Sequence, residues 1–331
     1  MSDNFKALMI DKTDDKQTIS IVNLGESELM EGNVVVDVTH STLNYKDGLA
    51  ITGSSPIVRT FPMIPGIDFS GIVRSSEDKK FSEGDRVVLN GYGLSENHFG
   101  GYSERARVNS NHLLKLPENI SNKQAMAIGT AGYTAMLCVL AIEDYGIKPE
   151  DGTILVSGAS GGVGSVAISL LSDLGYEVEA STGKIDEADY LKSLGAKSII
   201  DRTELSDPSK PLGKERWAGA IDSVGSQTLV NILAQTSYGG GVAACGLAQG
   251  MDLPSTVMPF ILRNVALLGV DSVMAPMNKR ERAWDRLSSD INIKKLEEMI
   301  VDTTIDQVEV FAGEIIKGKI KGRVVVNISE N

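Results

Sequence analysis

The stretch TILVSGASGGVGSVAISLL, Thr153 to Leu171, constrains the fold of this 331-residue chain more than any other. Ile154, Leu155 and Val156 make a short apolar run of the kind buried on both faces of a parallel sheet. Four glycines follow, Gly158, Gly161, Gly162 and Gly164. Apolar residues then recur with helical spacing at Val163, Val166, Ala167, Leu170, Leu171 and Leu174. A strand that turns through glycines into a helix presents backbone N–H groups and the positive end of the helix dipole to whatever approaches. A pyrophosphate fits such a place, and the strand–glycine–helix context marks it as a dinucleotide cradle rather than an ordinary Gly-rich turn. The pattern predicts a helix over 163–174 and further strand–helix units around it.

Those units are present. From about residue 126 the strand-like runs YEVEAST, SIIDR, GAIDSVG, GGVAACGL and VALLGVDSV alternate with helical segments such as EADYLKSL. That alternation belongs to a parallel, doubly wound α/β sheet. Before it, ALMI, ISIV, VVVDV, GIVRS and DRVVLN are short runs broken by Gly, Pro, Asp and Asn, a β-rich texture. After a charged helical stretch, KGRVVVNI reads as a last strand. The expected organisation is a β-rich domain, residues 1–125 and 270–331, interrupted by a nucleotide-binding domain, residues 126–269.

The second strand of the nucleotide unit decides the dinucleotide. An NAD site places an Asp or Glu at the end of that strand for the ribose 2′-OH, whereas an NADP site gathers basic and hydroxyl groups for the 2′-phosphate. Here the strand ends in Ser181, Thr182, Gly183 and Lys184, and the next strand is followed by Arg202. Glu179, the one acidic competitor, lies two residues inside the strand. Solvated surface cations are the plain alternative for Lys184 and Arg202. Their positions favour phosphate recognition and NADPH.

Composition narrows the rest. A net charge of −12 argues against nucleic acid as the main partner. The two cysteines, Cys138 and Cys245, lie in apolar segments without a CxxC pair and read as buried reduced thiols. The N-terminus lacks the pattern of a signal peptide, and no uninterrupted apolar run approaches the ~20 residues that cross a bilayer. A cytoplasmic protein is expected. Arg59, Arg263 and Lys279 are scattered candidates for a local basic patch.

One more stretch carries chemistry. HSTLNYKDGLA, residues 40–50, follows the strand Val34 to Val38 and reads as a loop that clusters Asn44, Tyr45, Lys46 and Asp47. Tyr45 and Lys46 are donors, Asn44 is donor and acceptor, and Asp47 is an orienting carboxylate that pairs with Lys46. Asp68 in PGIDFSG reads as a support for that loop. His98 and His40 read as structural histidines bonded to backbone.

Taken together, NYKDGLA, FPMIPGIDFSG, GDRVVL, NHFGGYSE, GTAGYTAM, SGASGGVG, YLKSLGA, IDSVG, TVMPFILRN and KGRVVV resemble the medium-chain dehydrogenase/reductase superfamily over essentially the whole chain, in its zinc-independent quinone-oxidoreductase branch. Zinc-dependent relatives place a Cys in the loop occupied here by NYKD and a His within Gly-His-Glu. Here Asn44 and Gly66-Ile67-Asp68 stand instead, and GYGLSENHFGGYSE holds none of the four cysteines of a structural-zinc loop. No metal site is expected. The resemblance implies a GroES-like catalytic domain beside a Rossmann domain and a homodimer formed through the VALLGVDSV edge strand. It carries over NADPH contacts at Tyr45, Ser160, Gly161, Gly162, Val163, Ser181, Thr182, Gly183, Lys184, Arg202, Leu247, Ile261, Ser272 and Arg323. Leu247 and Ile261 read equally well as core residues, and Arg323 as a surface charge.

Within the branch, NYKDGLAITG, ENHFGGY, IGTAGYTAMLCV and GGGVAACGLA resemble the acrylyl-CoA reductases. This resemblance implies direct hydride transfer to a short-chain enoyl-CoA thioester, with Tyr45 first in line for the nicotinamide contact and for proton delivery, solvent being the other source. Two other functions remain: a quinone or small-enone reductase on the same scaffold, and a non-catalytic NADPH-binding protein.

Overall fold

In a computed structural model, which describes residues 4–14 and 16–329, the chain forms two units. One comprises the residues up to Thr130, Val273–Arg282 and those from Leu296 onward; the other comprises Ala131–Ser272 and Ala283–Lys295.

The first unit is built from β1 (Asn4–Thr13), β2 (Lys16–Gly25), β3 (Val34–Leu43), β4 (Asp68–Ser76), β5 (Arg86–Asn90), β6 (Arg105–Val108) and β7 (Leu114–Lys115). The second holds β8 (Ile154–Val156), β9 (Val178–Thr182), β10 (Ser198–Asp201), β11 (Trp217–Asp222), β12 (Thr236–Ala244) and β13 (Ala266–Gly269), and the chain returns to the first unit with β14 (Ile300–Thr304) and β15 (Arg323–Asn327). In the first unit a seven-stranded sheet runs β14-β15-β3-β4-β5-β7 with β6 on β3, and β1 pairs with β2 in a separate hairpin. Apart from the parallel β14–β15 pair its ladders are antiparallel. Its core interleaves Val34, Val36 and Val38 of β3 with Phe69, Val73, Val87, Leu89 and Val324 from its neighbours.

The second unit holds the expected parallel sheet, in the order β10-β9-β8-β11-β12-β13. Every residue of β8 and β11 is buried, which is why these strands read as continuous apolar runs rather than alternating ones. The helix predicted over 163–174 is present at Gly162–Asp173.

Three elements depart from expectation. The stretch read as a loop after Val38 is the end of β3, which runs to Leu43, followed by a helix, α1 (Tyr45–Thr52), with Asn44 as its N-cap and Gly53 in the left-handed conformation as its C-cap. Four polar heads in a row resemble a turn, but Asn and Asp three residues apart also open a helix. Secondly, α2 (Asn122–Tyr145) was not anticipated. It is long and apolar enough to cross a membrane by composition, yet it is almost wholly buried, a core helix broken at Gly129 (φ 50°, ψ −163°). Thirdly, Ala283–Lys295 packs in the nucleotide-binding unit rather than the catalytic one. Trp284 and Leu287 are buried, Arg286 binds Glu143 at 2.7 and 3.1 Å, and Lys295 Nζ reaches Asp173 at 2.7 Å and the Leu194 carbonyl at 3.0 Å. These partners are remote in sequence, so local pattern alone does not separate the segment from its neighbours.

Candidate active site and nucleotide cradle

In the first unit the reactive turn rests on a buried polar network. Asp47, fully buried on the first turn of α1, accepts from Asn44 N at 2.8 Å, Asn44 Nδ2 at 3.1 Å and Ile67 N at 2.9 Å. Asn44 Nδ2 also donates to Asp68 Oδ2 at 3.1 Å, and Asn44 Oδ1 accepts from Arg323 Nη2 at 3.3 Å. Both amide hydrogens and the amide oxygen are therefore consumed. Asp68 Oδ2 takes a further bond from Thr130 N at 2.6 Å, while its Oδ1 has no hydrogen-bond partner among the described residues. Arg323 is 2% exposed and also donates to the Ala127 carbonyl at 2.9 Å and to Thr42 Oγ1 at 3.1 Å.

Two buried carboxylates beside one guanidinium cannot both be comfortable as anions. Burial, then the charge of Asp68, pushes the Asp47 carboxyl up to about 7, and burial likewise raises Asp68. The break in α2 lets the network close. A Cβ on Gly129 would lie 2.6 Å from both Arg323 Nη2 and Thr42 Cγ2, and its φ of +50° also favours glycine.

The roles expected of the four turn residues divide. Lys46 does not pair with Asp47: its ammonium binds Glu96, 15% exposed, whereas Asp47 faces inward to backbone donors. Asn44 is turned inward as well. Tyr45 alone projects, 45% exposed, with no hydrogen bond to its hydroxyl among the described residues. Arg323 is a buried hub rather than a surface charge. Glu96, Thr42, Gly129 and Thr130 were missed because each meets the turn only through the tertiary fold. Each ring nitrogen of His98 has a backbone carbonyl within reach, Nδ1 that of Phe99 at 3.2 Å and Nε2 that of Glu31 at 3.1 Å, and the tautomer sets which one accepts its N–H; His40 Nδ1 meets Thr39 Oγ1 at 3.1 Å. Burial lowers the pKa of His40.

In the second unit, β8 turns into α3 (Gly162–Asp173) at Gly158, whose φ is +59°. A Cβ on Gly164 would lie 2.4 Å from the Gly158 carbonyl, so only glycine lets helix and turn approach this closely. The N-cap, Gly161, leaves the helix start without a side-chain cap. Ser160 and Thr182 hydroxyls meet at 3.0 Å, Lys184 N donates to Thr182 Oγ1 at 3.0 Å, and the Arg202 guanidinium lies over Gly183, 2.6 Å from where a Cβ would stand. Asp222, unremarked in the sequence, ties β11 to the cradle: it accepts from Ser157 Oγ at 2.5 Å and Gly225 N at 2.8 Å, and burial raises its pKa.

Glu179 is fully engaged elsewhere. It accepts from Trp217 Nε1 at 2.8 Å, Ser198 Oγ at 2.9 Å and Arg216 at 3.2 Å. The strand end is thereby left to hydroxyls and cations, and a nucleotide carrying a 2′-phosphate fits it. Leu247 and Ile261 are 62% and 71% exposed, which rules out core packing, and Ser272 is half-buried. Cys138 is buried; Cys245, contrary to expectation, is only partly so, and both are free thiols.

Comparison with known proteins matches the two units to two family models, an alcohol dehydrogenase GroES-like domain over residues 30–118 and a zinc-binding dehydrogenase over residues 162–289. The acrylyl-CoA reductase AcuI of Ruegeria pomeroyi is 49% identical over 98% of this chain and 99% of its own. This chain is a medium-chain dehydrogenase/reductase. The yhdH oxidoreductase of Salmonella enterica, solved with NADP, superposes on this reductase with a TM-score of 0.96 at 53% identity, covering 98% of this chain and 100% of that one. Bacillus subtilis yhfP, solved with NAD, does so at 0.95 and 43% identity, with the same coverage. Where zinc-dependent members keep a Cys and a His, this medium-chain dehydrogenase/reductase has Asn44 and Ile67, and a hydrogen-bonded network in place of ligands.

Proposed function

We infer that this medium-chain dehydrogenase/reductase reduces acrylyl-CoA to propionyl-CoA with NADPH. The observation that carries the acceptor is the near full-length likeness to the Ruegeria acrylyl-CoA reductase. The strand end left to Ser181, Thr182, Lys184 and Arg202 supports the choice of NADPH over NADH. When bound, NADPH supplies a hydride to the β carbon of the unsaturated thioester. Negative charge then develops on the thioester oxygen, and donors placed in advance lower that barrier. Tyr45 is the residue of the turn with an unengaged hydroxyl, and the network beneath it fixes its backbone. The α carbon takes a proton from Tyr45 or from solvent, which completes the saturated product. The test is NADPH oxidation with acrylyl-CoA against a simple quinone. Faster turnover of acrylyl-CoA is expected; faster turnover of the quinone overturns the reading in favour of a quinone reductase, and no turnover of either in favour of a binding protein.

A homodimer belongs to the same proposal. β13 ends its sheet, and Val257, Ile261 and Leu262 before it are 63%, 71% and 55% exposed, apolar area that a second copy would cover. Light scattering that gives a monomer would refute it. A cytoplasmic location is proposed with it, consistent with two unpaired thiols.

A further inference from the structure

With a net charge of −12 the protein has no overall attraction for an anionic thioester, so any capture of the CoA end must be local. The three scattered cations divide clearly in the structure. Arg263 is used up: its guanidinium bonds the Ala234 carbonyl at 2.9 Å, the Gly213 carbonyl at 2.5 Å and Glu215 at 3.5 Å. Lys279 is exposed on the helix Met277–Asp290, and no bond or ion pair among the described residues joins it to the reactive turn.

Arg59 differs from both. Its backbone N donates to the Glu96 carbonyl at 2.8 Å, and Val58 beside it packs against the core, so the main chain is pinned. Its side chain is 71% exposed and touches Glu96 only through Nε, at 3.5 Å. Both Nη groups are without a partner among the described residues. The other oxygen of Glu96 is taken by Lys46, the residue after Tyr45. Two cations thus share one carboxylate, leaving one net positive charge and an open guanidinium fork linked through Glu96 to the reactive turn. A guanidinium fork matches phosphate oxygens in pairs.

Building on the acceptor proposed above, we propose that Arg59 receives a phosphate of the CoA moiety and determines selectivity for CoA esters over truncated ones. The thioester end lies toward Tyr45, and the nucleotide end is held on the far side of the Lys46–Glu96–Arg59 relay.

The experiment compares wild type, Arg59→Ala and Lys279→Ala, each with acrylyl-CoA and with the acrylyl thioester of N-acetylcysteamine, which has no phosphate. Calorimetry measures free CoA, 3′-dephospho-CoA and NADPH on the same proteins. Arg59→Ala should raise KM for acrylyl-CoA and Kd for CoA about tenfold, the size of one exposed charge-assisted contact. It should leave the truncated ester and NADPH within twofold, and Lys279→Ala should resemble wild type throughout. A smaller effect of Arg59→Ala on dephospho-CoA assigns the 3′-phosphate; an equal effect assigns the diphosphate. An unchanged Kd for CoA overturns the proposal, as does a rise that is equal for both esters or that falls on NADPH. If wild type reduces neither ester yet Arg59→Ala still weakens CoA binding, the acceptor reading falls and the Arg59 site stands.

Discussion

The reactive turn of the first unit is held by side chains that consume one another's polar atoms, whereas the cradle of the second is made by side chains that are missing. Around Asn44 every amide atom is spoken for, and Asp47, Asp68 and Arg323 are buried. Around Gly158 and Gly164 the backbone comes close because no Cβ intervenes, and the helix start is left uncapped. A network of the first kind fixes geometry and carries stability; a gap of the second kind leaves free N–H groups and carries affinity. Changes in the first region should therefore appear chiefly in folding or rate, and changes in the second in cofactor binding.

The comparison is tested hardest at Arg323. Among the described residues Arg323 is the cation bonded to the network, and Arg323→Met takes its charge away from the buried Asp68 and Asp47, at a cost of about 3–5 kcal/mol. Thermal unfolding should show a correspondingly lower Tm; an unchanged Tm would mean that the network carries no stability. Asp47 adds a pH signature. Its carboxyl is raised in the folded protein from the usual carboxylate range to about 7, so the folded state binds the proton more tightly than the unfolded chain does. The stability it contributes is fully present below about pH 4 and is lost as pH rises through about 7. Asp47→Asn keeps an acceptor but cannot ionise, and it should flatten that part of the Tm-against-pH curve; an identical curve would show that Asp47 does not titrate in this window.

Tyr45→Phe comes next. Loss of one oxyanion donor costs about a hundredfold in kcat, while Tm and the Kd for NADPH should stay near wild type, because Tyr45 is exposed and its hydroxyl has no bond among the described residues. Undiminished turnover would remove Tyr45 from the chemistry. In the other unit, Arg202→Ala should weaken NADPH about tenfold with little change for NADH, the value of one charge-assisted phosphate contact. Equal weakening of both would mean that Arg202 supports the fold around Gly183 instead of reading a phosphate.

The two regions also differ in how far the sequence reveals them. The glycine turn of the cradle lies within about twenty consecutive residues, Thr153 to Leu171, where strand, glycines and helix follow in order, so its fold and purpose are legible locally. The network draws on residues 44, 47, 68, 130 and 323, and the bond from Arg323 to Asn44 spans 279 positions. Sequence shows which polar groups stand near Tyr45 but not their partners, so Asp47 looks like the mate of Lys46 until the fold brings up Glu96. Family likeness brought Arg323 into the site without revealing that it is buried. Gly129 carried no local signal, because the space it must leave empty is set by strands on either side.

The smallest expected effect gives the most selective test of the cradle. Glu179 occupies nearly the place where an acid would hold a ribose, and only its bonds to Trp217, Ser198 and Arg216 keep it from that task. Glu179→Gln retains an acceptor for the indole and loses one partly exposed ion pair, worth about 0.5 kcal/mol. If the strand end is read through Ser181, Thr182, Lys184 and Arg202 alone, the ratio of Kd for NADH to Kd for NADPH should not move. A shift of that ratio toward NADPH would mean that Glu179 still reaches the ribose in solution, and the structural role assigned to its carboxylate would have to be given up.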